Sequence, residues 1–582
     1  MRRSSCLPPP NSLPRLFLEA GDPGTDAERP PFAARGGNRV TPLIEAADMY
    51  PALERAVLAA ERSVWLAFRI FDPDTLTRSA EAKALALGDW TALLRHAVEA
   101  GVTVRLLLAD FEPIMADELH GGSWSTFRTL RAMSAALPDD IQERLQIVVI
   151  QHEGELGFGM RQLLRIGIGI HVGRLLRRLG REGDLETLLG VRPGLWRHHR
   201  RDRQGRPRFR IGQAPRLWPA TYHQKFAVID EAHGIVGGLD IDERRFDDKR
   251  HRRRADQTWH DLSVAVEGPA VADMAAHFRG CWNTELPRFR EVAEHWTSGT
   301  DRALALDPLA SIDTVAAAPE AAGAATVQAV RTRSFRDHRL FAIGPRPRIM
   351  ELAEAHRRLI GSAERLLYVE AQFFRYRDAA RWIIAQARAF PALQVIVVLP
   401  SAPEEVAFDG DTRTPHRHGE YLQVRNLGRL QRALGNRIGL FQLAKPAAVT
   451  AAETQFIAHR GTAFGAGAVY VHAKLLIADD RCALVSSANI NGRSLRWDTE
   501  FGVLWEDADG VAAFRRKAWS QLLASEGDAG ASVENGLATW RRIADANVVA
   551  APDRRQGFVL PHKLGRARRF ARPSWFVPDD LV

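Results

Sequence analysis

Two distant segments of the chain share one pattern of residues. The first, YHQKFAVIDEAHGIVGGLD, begins at Tyr222, and the second, VHAKLLIADDRCALVSSAN, begins at Val471. They align without gaps, and each has a histidine, a lysine two positions later and an aspartate seven positions later, before an apolar stretch and a turn of small residues. Because alternate residues of a strand share a face, each histidine and its lysine must project on the same side. The pattern therefore constrains the chain to a duplicated fold.

The order of predicted elements repeats in the same way. Helical stretches lead into apolar, β-branched strands in both halves, which is typical of an α/β fold with a sheet buried on both faces. The predicted helix–strand pairs are 51–61 with 63–71, 90–100 with 102–110, 349–362 with 365–374, and 379–390 with 393–400, and a further strand spans 145–153. A duplicated α/β architecture follows from this order alone.

The length of 582 residues exceeds what one hydrophobic core usually supports, so two lobes are expected. We predict that they are similar mixed β-sheets flanked by helices, related by pseudo-twofold symmetry, with His223 facing His472 across their interface. The predicted boundaries are an irregular N-terminal arm at 1–37, an N-terminal lobe at 38–300, a linker at 301–325, a C-terminal lobe at 326–525 and a C-terminal extension at 526–582.

Composition excludes some classes of protein. Apolar residues make up 46% and charged residues 26%, which is far from the signature of disorder. The net charge of +10 favours anionic partners such as phospholipids or nucleic acids without choosing between them. The three cysteines, Cys6, Cys281 and Cys482, have no spacing that indicates a disulfide framework or a zinc site.

The sequence indicates neither a conventional signal peptide nor a membrane-spanning segment. The nearest candidate, Leu156–Leu176, is interrupted by three arginines and a histidine, and could be a helix packed on its own protein or one that lies on a bilayer. A basic stretch at 174–210 is expected to be a surface excursion, either a solvated loop or a rim facing phosphate or membrane. The cellular compartment, cytoplasmic, peripheral to a membrane or secreted, stays open.

The paired motifs resemble those of the phospholipase D superfamily, specifically its single-chain members with two HxKx4D repeats. Trp259-His260-Asp261 followed by GPAV, YVEAQFF at 368–374 and VIVVLPSAPE at 395–404 add to the resemblance. One departure is visible, because Ser486 stands where the family usually has glycine in the second repeat. We expect this serine to narrow the backbone geometry and to crowd a phosphate pocket.

The residue types suit phosphodiester cleavage, since one neutral imidazole can attack phosphorus while a protonated one donates to the leaving alcohol. The resemblance implies that His223 is the nucleophile and His472 the acid. Lys225 and Lys474 would hold phosphate oxygens, and Ser487, Asn489, Gly237, Gly238 and Asp240 would form the rest of the phosphate pocket. The scheme requires no metal or other cofactor.

Other carboxylates complete the predicted site. Asp230 and Asp479 belong to the six-residue catalytic motif set, but we expect them to pair with backbone or basic groups behind the strands. Each histidine also needs a partner on its second nitrogen to fix the tautomer. We assign Glu500 to His472, as the family pattern implies, and Asp261 to His223.

The leading hypothesis is a phospholipase D that acts on phosphatidylcholine-like lipids at a membrane surface, as a monomer, and that could also transfer the phosphatidyl group to an alcohol. A cardiolipin synthase or another phosphatidyl transferase is the alternative. A nuclease and a catalytically inactive lipid-binding scaffold are further readings. The sequence does not choose the headgroup, the acyl chains, or between hydrolysis and transfer.

Overall fold

A computed structural model describes residues 15–204, 207–210, 215–306 and 309–582. Cys6 and part of the predicted N-terminal arm lie outside these residues. Cys281 and Cys482 are buried free thiols. Among the described residues, no helix combines the length and the apolarity needed to cross a membrane.

The N-terminal half contains ten strands and nine α-helices among its described residues. The strands are β1 Arg35–Ile44, β2 Ser63–Phe68, β3 Thr103–Ala109, β4 Leu145–Ile150, β5 His199–Arg201, β6 Pro207–Phe209, β7 Phe226–Ile229, β8 His233–Gly237, β9 Trp259–His260 and β10 Leu262–Glu267. The helices are α1 Ala46–Leu58, α2 Ala80–Ala84, α3 Trp90–Glu99, α4 Asp117–Ala135, α5 Asp139–Gln142, α6 Phe158–Glu182, α7 Leu185–Gly190, α8 Pro193–Trp196 and α9 Val271–Thr297.

The C-terminal half adds the remaining elements. The strands are β11 Ala325–Phe335, β12 Arg346–Met350, β13 Leu366–Ala371, β14 Gln394–Val398, β15 Ile438–Ala448, β16 Thr462–Ala463, β17 Ala466–Val471, β18 Lys474–Ala478, β19 Cys482–Ser486, β20 Glu500–Glu506 and β21 Val559–Pro561. The helices are α10 Glu351–Ser362, α11 Arg377–Ala389, α12 Glu404–Ala407, α13 Thr414–Leu434, α14 Gln455–His459, α15 Gly492–Arg496, α16 Ala508–Leu523, α17 Glu526–Ala529, α18 Gly536–Val549 and α19 Leu564–Phe570.

The two halves repeat one mixed sheet. In the first, the strand order is β4-β3-β2-β7-β8-β10-β1, with β2, β3 and β4 parallel and the other neighbours antiparallel. In the second, β15-β14-β13-β18-β19-β20-β11 has the same order and the same directions. The predicted mixed α/β fold is confirmed, and the duplication read from the sequence reappears as duplicated topology.

The central strands are buried on both faces, which explains their continuous apolar sequences. Every residue of β13, β18 and β19 is buried, as are five of the six residues of β2. The helices pack on the two faces, and one apolar cluster runs through both halves, from Val64 and Leu106 to Val471 and Val503. The site described below therefore rests on a shared core.

The two terminal segments are parts of the body. Leu16 and Leu18 are buried against the C-terminal core, and the backbone N–H of Leu18 donates to Gln328 at 2.9 Å. Strand β1 bridges the two sheets, since it pairs with β10 and, at its start, with β11. At the other end of the chain, β21 extends the second sheet by pairing with β15.

The expectation of a solvated loop at 174–210 is wrong for most of its described part. The segment contains the last nine residues of α6, all of α7 and α8, and the β5–β6 hairpin. Leu175, Leu179, Leu189 and Trp196 form a small apolar core with Ile114 of the main body. Leucines at helical spacing between the arginines explain why this stretch folds.

Candidate active site

Both motif histidines lie at the carboxyl ends of the parallel strands. Ala67, near the end of β2, pairs with Phe226, so His223 extends beyond that end. Ala371, the last residue of β13, pairs with Lys474, so His472 occupies the equivalent place in the second half. In open α/β sheets this edge is where ligands bind.

Short backbone pairings between the halves bring the two histidines together. Tyr222 forms a parallel bridge with Thr499, and the His223 N–H donates to the Thr499 carbonyl at 2.8 Å. In the other repeat, Val471 pairs in parallel with His260, and the His472 N–H donates to the His260 carbonyl at 2.8 Å. The segment entering each histidine therefore runs beside the segment that carries the other repeat's carboxylate.

Each imidazole is held by a carboxylate from the opposite half. His223 Nδ1 lies 3.0 Å from Glu500 Oε2, and His472 Nδ1 lies 2.6 Å from Asp261 Oδ2. The predicted pairing of Asp261 with His223 and of Glu500 with His472 is wrong. Strand β10, which follows Asp261, is two strands away from β7, and neighbouring strands are about 5 Å apart, so a partner in the same repeat would be about 10 Å distant.

A buried chain of ionisable groups fixes the segment behind His472. The His260 ring contacts Glu45 Oε1 at 2.6 Å through Nδ1 and Glu370 through Nε2, and His251 Nε2 lies 3.2 Å from Glu45. Burial acts to raise the pKa of Glu45, but the charges of His260 and His251 outweigh it and lower that pKa to about 2. These three residues are close enough to hold a metal ion, but their nitrogen–oxygen distances are those of ion-paired hydrogen bonds, and we assign them as such.

The two motif lysines are buried beside their histidines. Lys225 Nζ donates to the His223 carbonyl at 2.8 Å and lies 3.7 Å from Asp240 Oδ2. Lys474 Nζ donates to the His472 carbonyl and, at 3.4 Å, to Gln372 Oε1. The charge of Lys225 acts on Lys474, and buried like charges of this kind are unfavourable unless an opposite charge offsets them.

Titration of the site reflects this crowding of positive charge. Burial lowers the pKa of His223 and of His472 well below the ordinary range, and the lysines and Arg69 lower both further. Burial also lowers the pKa of Lys225 to about 8 and of Lys474 to about 7. A bound phosphate would offset these shifts, because its charge favours the protonated amines.

The side chains of the motif aspartates accept hydrogen bonds from backbone N–H groups, as we expected. Asp230 accepts hydrogen bonds from the backbone N–H groups of Glu61, Arg62 and Ser63 at 2.7–2.8 Å. Asp479 accepts the equivalent three, from Glu364, Arg365 and Leu366, at 2.6–2.9 Å. Each aspartate fixes the start of β2 or β13, so its inclusion in a catalytic set is corrected to a structural role.

The expectation that Ser486 crowds the phosphate pocket is wrong. Ser486 is buried between strands and pairs with Gly502 on β20, which leaves room for its side chain. In the first repeat the exchange is reversed, since Gly237 pairs with Ser263 on β10, and a Cβ at Gly237 would collide with that serine. Each repeat thus pairs one serine with one glycine at this position, but the serine lies on β10 in the first repeat and on β19 in the second.

Three other residues assigned to the phosphate pocket have different tasks. A Cβ at Gly238 would overlap the Asp261 carboxylate, so this glycine makes room for the partner of His472. Ser487 Oγ donates to Glu500, the partner of His223. Asp240 accepts hydrogen bonds from the backbone N–H groups of Arg69 and Ile70 and from the Arg245 side chain, and an ionised carboxylate cannot donate a hydrogen bond to a phosphate oxygen.

The assignment of Asn489 to the phosphate pocket stays a prediction. It is buried, and its side-chain oxygen has no hydrogen-bond partner in the described part of the chain. Since the orientation of an amide follows from its hydrogen-bond network, its NH2 group can turn towards an anion.

The sequence analysis missed two arginines. Arg69 follows β2 at the site edge, its Nε is buried without a partner among the described residues, and its charge acts on both histidines. Arg245 pairs with Asp240 and also acts on His472. The position of Arg69 near the end of the predicted strand 63–71 could have identified it, whereas nothing distinguished Arg245 within its basic segment.

The chain is similar in sequence to known proteins named phospholipase D. Phospholipase D1 of Saccharomyces cerevisiae is 23% identical over 438 residues, covering 60% of this chain and 25% of that protein. Phospholipase D1 of Cricetulus griseus is 26% identical over 283 residues, covering 44% and 25%, and phospholipase D gamma 3 of Arabidopsis thaliana is 24% identical over 384 residues, covering 49% and 44%. The matched regions therefore span from 25% to 44% of the length of these relatives. No family model matches it.

Among solved structures, the chain is similar to the crystal structure of phosphatidylserine synthase from Haemophilus influenzae Rd KW20. The TM-score is 0.48 at 14% sequence identity, and the match covers 89% of this chain and 96% of that one.

Proposed function

We propose that this chain, a member of the phospholipase D superfamily, hydrolyses the distal phosphodiester bond of glycerophospholipids. The products would be phosphatidic acid and a free headgroup alcohol, with phosphatidylcholine-like lipids as the substrate class. The observation that carries this proposal is the pair of buried histidines, each held by a carboxylate of the opposite half and flanked by a lysine.

The hydrogen bonds support a division of labour between the ring nitrogens. Glu500 and Asp261 occupy the two Nδ1 atoms, which leaves each Nε2 to face substrate. A proton on Nδ1 of His223 gives Nε2 a free lone pair. A proton on Nε2 of His472 makes that ring an acid, and Asp261 stabilises its positive charge.

In the first step, His223 Nε2 forms a bond to phosphorus while the bond from phosphorus to the headgroup oxygen breaks. The proton on His472 Nε2 goes to the leaving alkoxide, and Lys225, Lys474 and Arg69 offset the charge on the nonbridging oxygens. The intermediate is a phosphatidyl group on His223. Its assignment to His223 rather than His472 follows the family resemblance.

In the second step, neutral His472 takes a proton from water as the water oxygen attacks phosphorus. The phosphorus–nitrogen bond breaks, which releases phosphatidic acid and restores both rings. A primary alcohol can replace water in this step, and the product is then a phosphatidyl alcohol.

The test is to incubate the purified protein with mixed phospholipids, ethanol and a DNA control, and to identify the products by mass. The proposal expects phosphatidic acid and phosphatidylethanol, with intact DNA, and loss of both lipid products in His472→Ala. Lipid products formed only by transfer, without phosphatidic acid, would favour a phosphatidyl transferase. Cleaved DNA with intact lipid would overturn the substrate class.

A further inference from the structure

Exposed apolar side chains gather on one surface. Eight large apolar residues are exposed there, including Ile166 at 79% and Leu163 at 70%. The set, which we name the apolar surface, comprises Phe158, Leu163, Leu164, Ile166, Ile170, Leu340, Phe341 and Ile343. Contiguous exposed patches of this kind mark interaction or membrane sites.

The two segments that supply these residues are joined by backbone hydrogen bonds. The Gly157 N–H donates to the Ala342 carbonyl at 2.8 Å, and the Gly159 N–H donates to the Leu340 carbonyl at 2.7 Å. A Cβ at Gly159 would collide with the Phe341 ring. The start of α6 and the β11–β12 loop therefore form one continuous surface.

The rest of α6 is firmly packed, so its exposed face is a fixed feature. Ile168, Val172, Leu176 and Leu179 are buried in a small core with Ile114. Leu163, Ile166 and Ile170 are spaced three and four residues apart, which places them on one face of the helix. The helix is anchored by one end and presents apolar side chains at the other.

The charge around the surface favours an anionic partner. The exposed part of α6, residues 158–170, contains two arginines and no acidic residue. Beside its start, Glu155 pairs with Arg216 and Arg336, and Arg161 lies within electrostatic reach of all three, so three cations surround one anion. Basic groups beside an apolar helix face are typical of segments that lie on anionic bilayers.

The surface also adjoins the candidate active site. The segment between β4 and α6 leaves the sheet at the carboxyl end of β4, the same edge at which His223 lies. In the β11–β12 loop, a Cβ at Gly344 would collide with the Trp497 ring, three residues before Glu500. A bilayer that covered this surface would hold lipid headgroups near the histidines.

We propose that the apolar surface docks the protein on an anionic phospholipid bilayer, with these side chains inserted into the headgroup region. That docking brings substrate to the histidines rests on the proposed function, whereas binding to the bilayer does not depend on it.

The test uses vesicles of phosphatidylcholine, with and without phosphatidylglycerol, and the protein with His472→Ala to prevent turnover. The variant Leu163→Ser/Ile166→Ser/Phe341→Ser should bind the mixed vesicles on the order of 10- to 100-fold more weakly, because three apolar side chains lose their burial in lipid. The matched control, Leu76→Ser/Leu85→Ser/Val549→Ser, removes three exposed apolar groups from other segments of the chain and should bind normally. Equal binding by both triple variants would overturn the proposal.

Two further readouts separate the remaining outcomes. A dimer in solution that the first triple variant splits into monomers would overturn the proposal in favour of contact between copies. With the catalytic histidine intact, that variant should cleave a short-chain monomeric phosphatidylcholine at the normal rate and vesicles slowly. Normal docking without cleavage of any phospholipid would contradict the proposed function and leave the docking proposal standing.

Discussion

His223 Nδ1 contacts Glu500 Oε2 at 3.0 Å, although the two residues belong to different repeats. The reciprocal contact joins His472 to Asp261 at 2.6 Å. Each of these two pairs therefore takes its histidine from one half and its carboxylate from the other, so both halves are needed to form either pair.

The crossed pairing predicts which carboxylate serves which step. With a phosphatidyl-p-nitrophenol substrate, whose leaving group needs no proton, Glu500→Gln should slow the nitrophenol burst by roughly 10²–10⁴-fold, because it disturbs the tautomer of the nucleophile. Asp261→Asn should keep the burst and lose turnover, because it acts through the acid. Stopped-flow absorbance measures both, and the reverse result would support pairing within each repeat.

The Gly237–Ser263 contact predicts a coupled stability effect. Gly237→Ser should destabilise the fold by about 1–3 kcal/mol through overpacking against Ser263. Adding Ser263→Gly should restore most of the loss, since the second repeat already has serine at 486 opposite glycine at 502. Denaturant unfolding of the single and double variants measures the coupling, and additive effects would contradict this account of the packing.

The lysine pKa values predict an alkaline limit to activity. In the free enzyme Lys474 has a pKa of about 7 and Lys225 of about 8, so both lose their charge as the pH rises through this range. With phosphatidyl-p-nitrophenol, whose leaving group needs no proton from His472, we expect kcat/KM to fall above pH 7, and kcat to fall only at higher pH because bound phosphate favours the charged amines. In Lys474→Arg the limit of kcat/KM should move upward, and an unchanged profile would exclude Lys474 as its cause.

The buried histidine network predicts a different pH dependence, that of stability. Glu45 and Asp247 outweigh the effect of burial and raise the pKa of His251 to about 9. A raised folded-state pKa gives stabilisation that is complete below the unfolded value, about 6.5, and that is lost as the pH rises through 9. The shift corresponds to about 3 kcal/mol at most, at about 1.4 kcal/mol per unit.

Melting curves of the wild type and His251→Gln test this directly. The difference in melting temperature should be largest below pH 6.5 and should shrink towards pH 9. A difference that does not change with pH would show that His251 is neutral in the fold.

Local patterns predicted much of this structure. The strand at 63–71 appears as β2 Ser63–Phe68, and the helix at 349–362 as α10 Glu351–Ser362, because apolar periodicity reports burial directly. The structural role of Asp230 and Asp479 also followed from their place at the far end of each strand.

Relations between the halves could not be predicted from one repeat. Asp261 is assigned to His223 from the sequence as the first-repeat counterpart of Glu500, but the facing segment of the other half is nearer in space. Asp240 is assigned to the phosphate pocket from the sequence because it stands where the second repeat has Asn489, and its partner Arg245 belongs to no motif that could have revealed their contact. The sequence suggests that Ser486 crowds the phosphate pocket because Gly502, which makes room for its side chain, lies on another strand.

The central claim, that both repeats build one site around a nucleophilic His223, is tested most directly by trapping the intermediate. His472→Asn would be mixed with phosphatidyl-p-nitrophenol, quenched under alkaline conditions that preserve phosphohistidine, digested and analysed by mass. The account predicts about one equivalent of nitrophenol per protein and a phosphatidyl adduct on the His223 peptide, neither of which forms in His223→Asn. An adduct on His472 in the His223→Asn protein, or no adduct in either variant, would contradict it.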